Sequence, residues 1–152
     1  MVRYAHARAE ALGKAVHYSK QKAELTDFDD DFFDVVWSSV LLHETSGKGF
    51  KNIFAECHRL LRPGGVMVHC EVPEANKYWP HPYDQFQRDW TTYFNAEPFR
   101  TALREMDVAE VAVKAGFPED GLTETRIESE ISAVYARTHA YGAKWWVFAA
   151  RK

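Results

Sequence analysis

His43 and Glu44 stand side by side, shortly ahead of Gly47-Lys48-Gly49. A His-Glu pair opens the HExxH pattern, in which one helix face presents two imidazoles to zinc, but the second histidine falls at position 47, which is Gly. No metal site is expected there. Gly-x-Gly ahead of a helix, with an acid some distance downstream, is the start of a dinucleotide fingerprint, in which glycines let the backbone approach a pyrophosphate. Glu71 could serve as the acid, but the third glycine position is Asn52, and an ordinary helix N-terminus is the better explanation of the loop. His43 therefore has two open roles: an imidazole bordering a ligand, or a satisfied structural histidine. Trp79, His81 and Tyr83 form a second candidate group in a Pro-rich segment. They are placed either to close over a substrate or to pin a loop to the body of the protein.

The elements that must position these residues follow from periodicity. Phe50, Ile53, Phe54, Cys57, Leu60 and Leu61 recur at helical spacing and make one apolar stripe. Pro63 lacks an N–H and pushes Arg62 away from helical angles, and Gly64 and Gly65 tolerate a left-handed turn, so the helix ends there. Residues 66–72 then read as a short buried strand, and residues 33–39, which are β-branched and aromatic, as the strand before the helix. Strand, loop (40–49), helix, turn and strand make a βαβ crossover. Val2, Ala5, Ala9 and Leu12, followed by Gly13, predict a helix over 2–12, and residues 15–19 resemble a short strand. Asn95 is positioned to cap a helix carrying Phe99, Ala102, Leu103 and Met106. Asp107 and Glu110 make a capping box for a second helix that Gly116 ends. Residues 123–131 alternate as a half-exposed strand near a sheet edge, and 144–150 carry a buried one.

The chain has 152 residues, 46% of them hydrophobic and 14% aromatic, enough for one domain with an ordinary core. Nineteen basic against 22 acidic residues leave no electrostatic footprint for nucleic acid or an anionic membrane. No apolar run is long enough to span a bilayer, and the N-terminus lacks a signal-peptide core. Cys57 and Cys70 have no CxxC spacing, so a reducing cytoplasm is the expected compartment.

The ordered series "FDDDFFDVVWSSVLLHE", the helix into "LLRPGG", "VMVHCEVP", "EPFRTALREMDVAEVAVKAGF" and "KWWVFAARK" resembles the C-terminal two thirds of class I S-adenosylmethionine-dependent methyltransferases. That resemblance implies an α/β, Rossmann-like sheet of family order 3-2-1-4-5-7-6, here reduced to about five strands, families three to seven, with flanking helices in a single incomplete domain. Residues 15–19, 33–39, 66–72, 123–131 and 144–150 take the places of strands three, four, five, six and seven. The resemblance implies S-adenosylmethionine as cofactor, touched by Ser38, Ser39, Val40 and His43 after strand four and by Lys22 and Ala23 after strand three. It places Trp79, His81 and Tyr83 on the acceptor side. Lysine only donates, so Lys22 does not accept a hydrogen bond from the adenine amine.

The family's glycine-rich loop after strand one and its ribose-binding acid after strand two have no counterpart in residues 1–32, whose one glycine is Gly13. Methyl transfer by these residues alone is therefore expected to be impaired, and a non-catalytic interaction module with this fold is the alternative. Without strands one and two, strand four has an open edge. A homodimer is expected, formed through that edge or by exchange of the N-terminal helix and strand three.

Overall fold

The computed structural model describes residues 1–71, 105–127 and 145–152, together with residues 86, 90, 92–94, 99 and 103. Helix α1 is Val2–Ala11, strand β1 Phe33–Ser39, helix α2 Gly47–Leu60 and strand β2 Leu61–Glu71. They are followed by helix α3 (Val108–Lys114), strand β3 (Leu122–Ile127) and strand β4 (Trp145–Arg151). The strands form one sheet in the order β1-β2-β4-β3. β1 and β2 run parallel, and β4 is antiparallel to both of its neighbours. This is the order expected for family strands four, five, seven and six.

The apolar stripe of α2 folds as its spacing requires. Ser46 caps the helix by accepting the Gly49 N–H, and Phe50, Ile53, Phe54, Cys57 and Leu60 are all buried. Phe50 and Phe54 stack at 4.6 Å between centroids, each contributing about 2–3 kcal/mol by burial. They meet Met67 of β2 and Trp146, Phe148 and Ala150 of β4, with Val111 and Ala112 of α3 and Phe117 closing the core. Asp107 caps α3 through the Glu110 N–H, as its spacing predicts. On the other sheet face, Val35 and Trp37 of β1 are 56% and 65% exposed. No helix among the described residues is long and apolar enough to cross a membrane.

Two sequence expectations need correction. Residues 15–19 are not a strand: the segment is irregular and mostly exposed, held to α1 where the Tyr18 carbonyl meets His6 Nε2 at 2.9 Å. A strand needs a neighbour, and among the described residues β1 pairs only with β2, so the sheet has four strands there, not five. Second, β2 begins at Leu61, before Pro63-Gly64-Gly65. Phe33 pairs with Leu61, but Val35 pairs with Val66, so residues 62–65 form an irregularity within the strand. Gly64 has φ +82° in open space. Gly65 is the crowded position: a Cβ there would lie 2.9 Å from the Arg62 carbonyl oxygen and 3.0 Å from that of Asp34. Gly65→Ala is expected to cost about 1–3 kcal/mol, measured by urea unfolding, because backbone and not a flexible side chain must move. An unchanged midpoint would refute that packing.

The acidic segment before β1 is tied to α2. Glu56 accepts the Thr26 N–H at 2.8 Å and the Thr26 hydroxyl at 2.7 Å, and pairs with Arg59, which also reaches Asp30. The Arg59 hydrogen bonds, helped by Thr26 and opposed by burial, hold the Glu56 carboxyl at about 2, below its ordinary 4.5. A depressed carboxyl contributes stability above its unfolded pKa and loses it as pH falls through the folded one. Glu56→Gln is therefore expected to lower the melting temperature at pH 7. The gap to the parent should narrow below pH 4.5 and close near pH 2. A gap independent of pH would refute the ionic role. At the opposite end of the chain, Lys152 Nζ donates to Asp31 and to the carbonyls of His58 and Leu61, stitching the C-terminus to the end of α2.

Candidate functional site at the carboxyl edge of the sheet

β1 and β2 are parallel, so both end at the same edge, where open α/β sheets bind ligands. The chain leaves β1 through Val40, whose φ of +57° is costly for a β-branched residue. What holds this conformation comes from the end of β2. The Val40 N–H donates to the Cys70 carbonyl at 2.9 Å. The Leu41 and Leu42 N–H groups both donate to Glu71 Oε1, at 2.9 and 2.6 Å. Glu71 Oε2 lies 2.6 Å from His43 Nδ1. Glu71 is fully buried and His43 is 4% exposed, so this is a desolvated carboxylate whose lone pairs are occupied by three donors. On the imidazole's other side, Glu44 Oε1 lies 3.3 Å from Nε2.

One step back along the same strands, Ser38 Oγ and His69 Nδ1 are 2.6 Å apart. His69 is buried and stacks on Phe54 at 5.0 Å. Burial pushes its pKa down to about 4, so the ring is neutral at physiological pH. Among the described residues, His69 Nε2 and Trp146 Nε1 are buried polar atoms with no hydrogen-bond partner.

The structure thus gathers Ser38 and Ser39, at the end of β1, and Val40 and His43, in the turn after it, at one edge. Ser39 and Val40 face solvent, whereas the Ser38 and His43 side chains are engaged from within. Lys22 and Ala23 lie in a turn closed by the Lys22–Leu25 bridge. Glu24 attaches that turn to α2 through Asn52 Nδ2, at 2.8 Å, and stands against Gly49. Lys22 is exposed and pairs with Glu24 at 3.8 Å. Trp79, His81 and Tyr83 lie outside the described residues. Sequence reasoning missed Glu71 and His69 as members of the site. The available signal was their register: both share the buried face of β2 with Met67, where a charged or polar side chain must find a partner.

Residues 1–69 match the family model described as a methyltransferase domain. An uncharacterized methyltransferase of Synechocystis is 34% identical over 82 residues, which is 49% of this chain and 39% of that protein. The chain therefore spans well under half the length of that relative. Among solved structures, the [4+2]-cyclase SpnF superposes over 99% of this chain and 62% of its own, with a TM-score of 0.64 at 18% identity. A SAM-dependent methyltransferase from Methanosarcina mazei does so over 99% and 76%, with a TM-score of 0.62 at 17% identity. A phosphoethanolamine N-methyltransferase of Haemonchus contortus, solved with S-adenosyl-L-methionine, superposes over 86% and 35%, with a TM-score of 0.56 at 14% identity. At these identities the structural likeness establishes the fold, and a cyclase among the neighbours illustrates that one fold carries several chemistries.

Proposed function

We propose that this chain is a member of the class I S-adenosylmethionine-dependent methyltransferase family and serves methyl transfer from S-adenosylmethionine, with residues 38–43 forming one wall of the cofactor site. The observation that carries this reading is the pinned turn at the carboxyl edge, where a strained Val40 and two backbone N–H groups are fixed by a buried carboxylate. Backbone held this firmly, with Ser39 and Val40 open to solvent, offers a preorganised surface for a ligand to lie against. When bound, the cofactor supplies an electrophilic methyl on a sulfonium. The chain has to orient that methyl toward an acceptor and exclude water, and a base is needed only when the acceptor must lose a proton. In this assignment Lys22 and Ala23 lie toward the adenine, Ser38, Ser39, Val40 and His43 along the nucleoside, and Trp79, His81 and Tyr83 toward the acceptor.

Residues 1–32 bring no glycine-rich loop, so binding by these 152 residues is expected to be weak, with a dissociation constant above about 10 μM. Titrating the ¹⁵N-labelled chain with S-adenosylhomocysteine tests the assignment. Amide shifts are expected at residues 38–43 and around Lys22 and Ala23. No shift at millimolar ligand, or shifts confined elsewhere, would overturn it.

One observation favours a second reading, a self-associating module of the same fold: the outer edge of β1 has no neighbouring strand among the described residues, and Val35 and Trp37 beside it are exposed. A homodimer paired there, or joined by exchange of α1 and the segment after it, satisfies that edge without any methyl transfer.

A further inference from the structure

We infer that Glu71 is a positioning residue for the candidate site: without reaching the ligand surface, it fixes which nitrogen of His43 carries the proton and the path of the backbone from Val40 to His43. Glu71 is the last residue of β2 and is fully buried, so its carboxylate has no access to a ligand at the edge. Its two oxygens do different work. Oε1 accepts the N–H groups of Leu41 and Leu42, residues that immediately follow the left-handed Val40, and so holds the strained turn in place. Oε2 sits 2.6 Å from His43 Nδ1, and a carboxylate can only accept. A proton must therefore reside on Nδ1, while Nε2 lies 3.3 Å from Glu44 Oε1, a second group that can only accept. A hydrogen bond to one ring nitrogen that dictates the state of the other is the general way a carboxylate governs an imidazole.

The two functions of Glu71 separate in the Glu71→Gln variant. A glutamine keeps a carbonyl oxygen for Leu41 and Leu42 but presents an NH₂ group to His43 Nδ1, which must then accept. In the ¹⁵N spectrum of the parent chain, His43 Nδ1 is expected to resonate as a protonated nitrogen. In Glu71→Gln it should shift to the unprotonated range, with the proton on Nε2, while the Leu41 and Leu42 amides stay protected from exchange. Glu71→Asp covers the case in which the glutamine variant does not fold. With one methylene fewer the carboxylate cannot span all three donors, so at least one contact is lost. That loss should appear as faster exchange at Leu41 and Leu42 or as loss of the protonated Nδ1 signal. An unprotonated Nδ1 in the parent, an Nδ1 state unchanged in Glu71→Gln, or an aspartate variant with none of these changes would overturn the inference.

The consequence for ligand binding rests on the functional reading above and has its own readout. Binding of S-adenosylhomocysteine, followed at residues 38–43, is expected to weaken roughly tenfold in Glu71→Gln, the equivalent of about one hydrogen bond. If the tautomer inverts but the parent chain shows no S-adenosylhomocysteine shifts, the functional reading falls and the role of Glu71 in setting the imidazole stands.

Discussion

Glu71→Ala is expected to destabilise the protein by about 3–5 kcal/mol, a large part of the stability of a domain this size. The magnitude follows from what is left behind. The Leu41 and Leu42 N–H groups and the His43 imidazole all give their hydrogen bonds to this one carboxylate, and truncation strips a partner from each at once. Leaving a buried donor unmade costs about 1–3 kcal/mol, and the strained Val40 loses the contacts that hold its neighbours. Urea unfolding measures the loss, and amide exchange at Leu41 and Leu42 locates it. Glu71→Gln should lose clearly less, because its carbonyl oxygen still serves both N–H groups. A loss below about 1 kcal/mol in Glu71→Ala would mean that water or a neighbouring group takes over the turn, and the site would not be preorganised.

What could be read from the sequence divides along physical lines. The parallel pairing of β1 and β2 was legible because periodicity sets each element and a short helix-to-strand connection limits where the next strand can go, whereas the place of β4 between β2 and β3 came from the family resemblance alone. Helix α2 was legible from periodicity, since five of the six stripe residues, Phe50 to Leu60, lie on it and are buried, while the sixth, Leu61, opens β2. Residues 15–19 look like a strand in composition alone. A strand's stability comes from its neighbour, which local sequence does not contain, and among the described residues that segment has no strand partner and meets α1 at His6. The irregularity at Gly65 was half legible. Pro-Gly-Gly announces a turn, yet that Gly65 is the tight position depends on the Asp34 carbonyl, about thirty residues earlier in the chain.

The candidate site was legible in position and not in construction. Residues 38–43 follow a recognisable strand, so they had to reach the carboxyl edge. The acid that organises them is contributed by the next strand, and a lone glutamate in an apolar run says only that some buried donor awaits it. His43 is buried and bonded as a structural histidine is, within the turn at the carboxyl edge of the sheet.

The chain is expected to self-associate at micromolar concentration into a species of about 35 kDa, twice its 17.5 kDa. β1 is seven residues long and, among the described residues, bonds to β2 alone, so its outer edge offers a row of backbone donors and acceptors. Natural edges are blunted by lysines, prolines or inward charges. β1 has none of these, and its one charge, Asp34, is exposed and paired with Arg62. Instead it exposes Val35 and Trp37, with Phe32 just before it 60% exposed. A two-fold axis at that edge, perpendicular to the sheet, pairs β1 with its copy antiparallel, satisfying both rows of hydrogen bonds and bringing the two sets of apolar side chains side by side on one face. Exchange of α1 is the competing route to a dimer, and α1 is loosely attached, with Ala9 its one buried residue. Trp37→Lys distinguishes them. The position is exposed, so the substitution should cost folding little, but it places like charges close together across a β1 seam and should return the protein to a monomer. A dimer indifferent to Trp37→Lys would point to exchange of α1, and a 17.5 kDa species in the parent chain by light scattering would end the edge-pairing idea altogether.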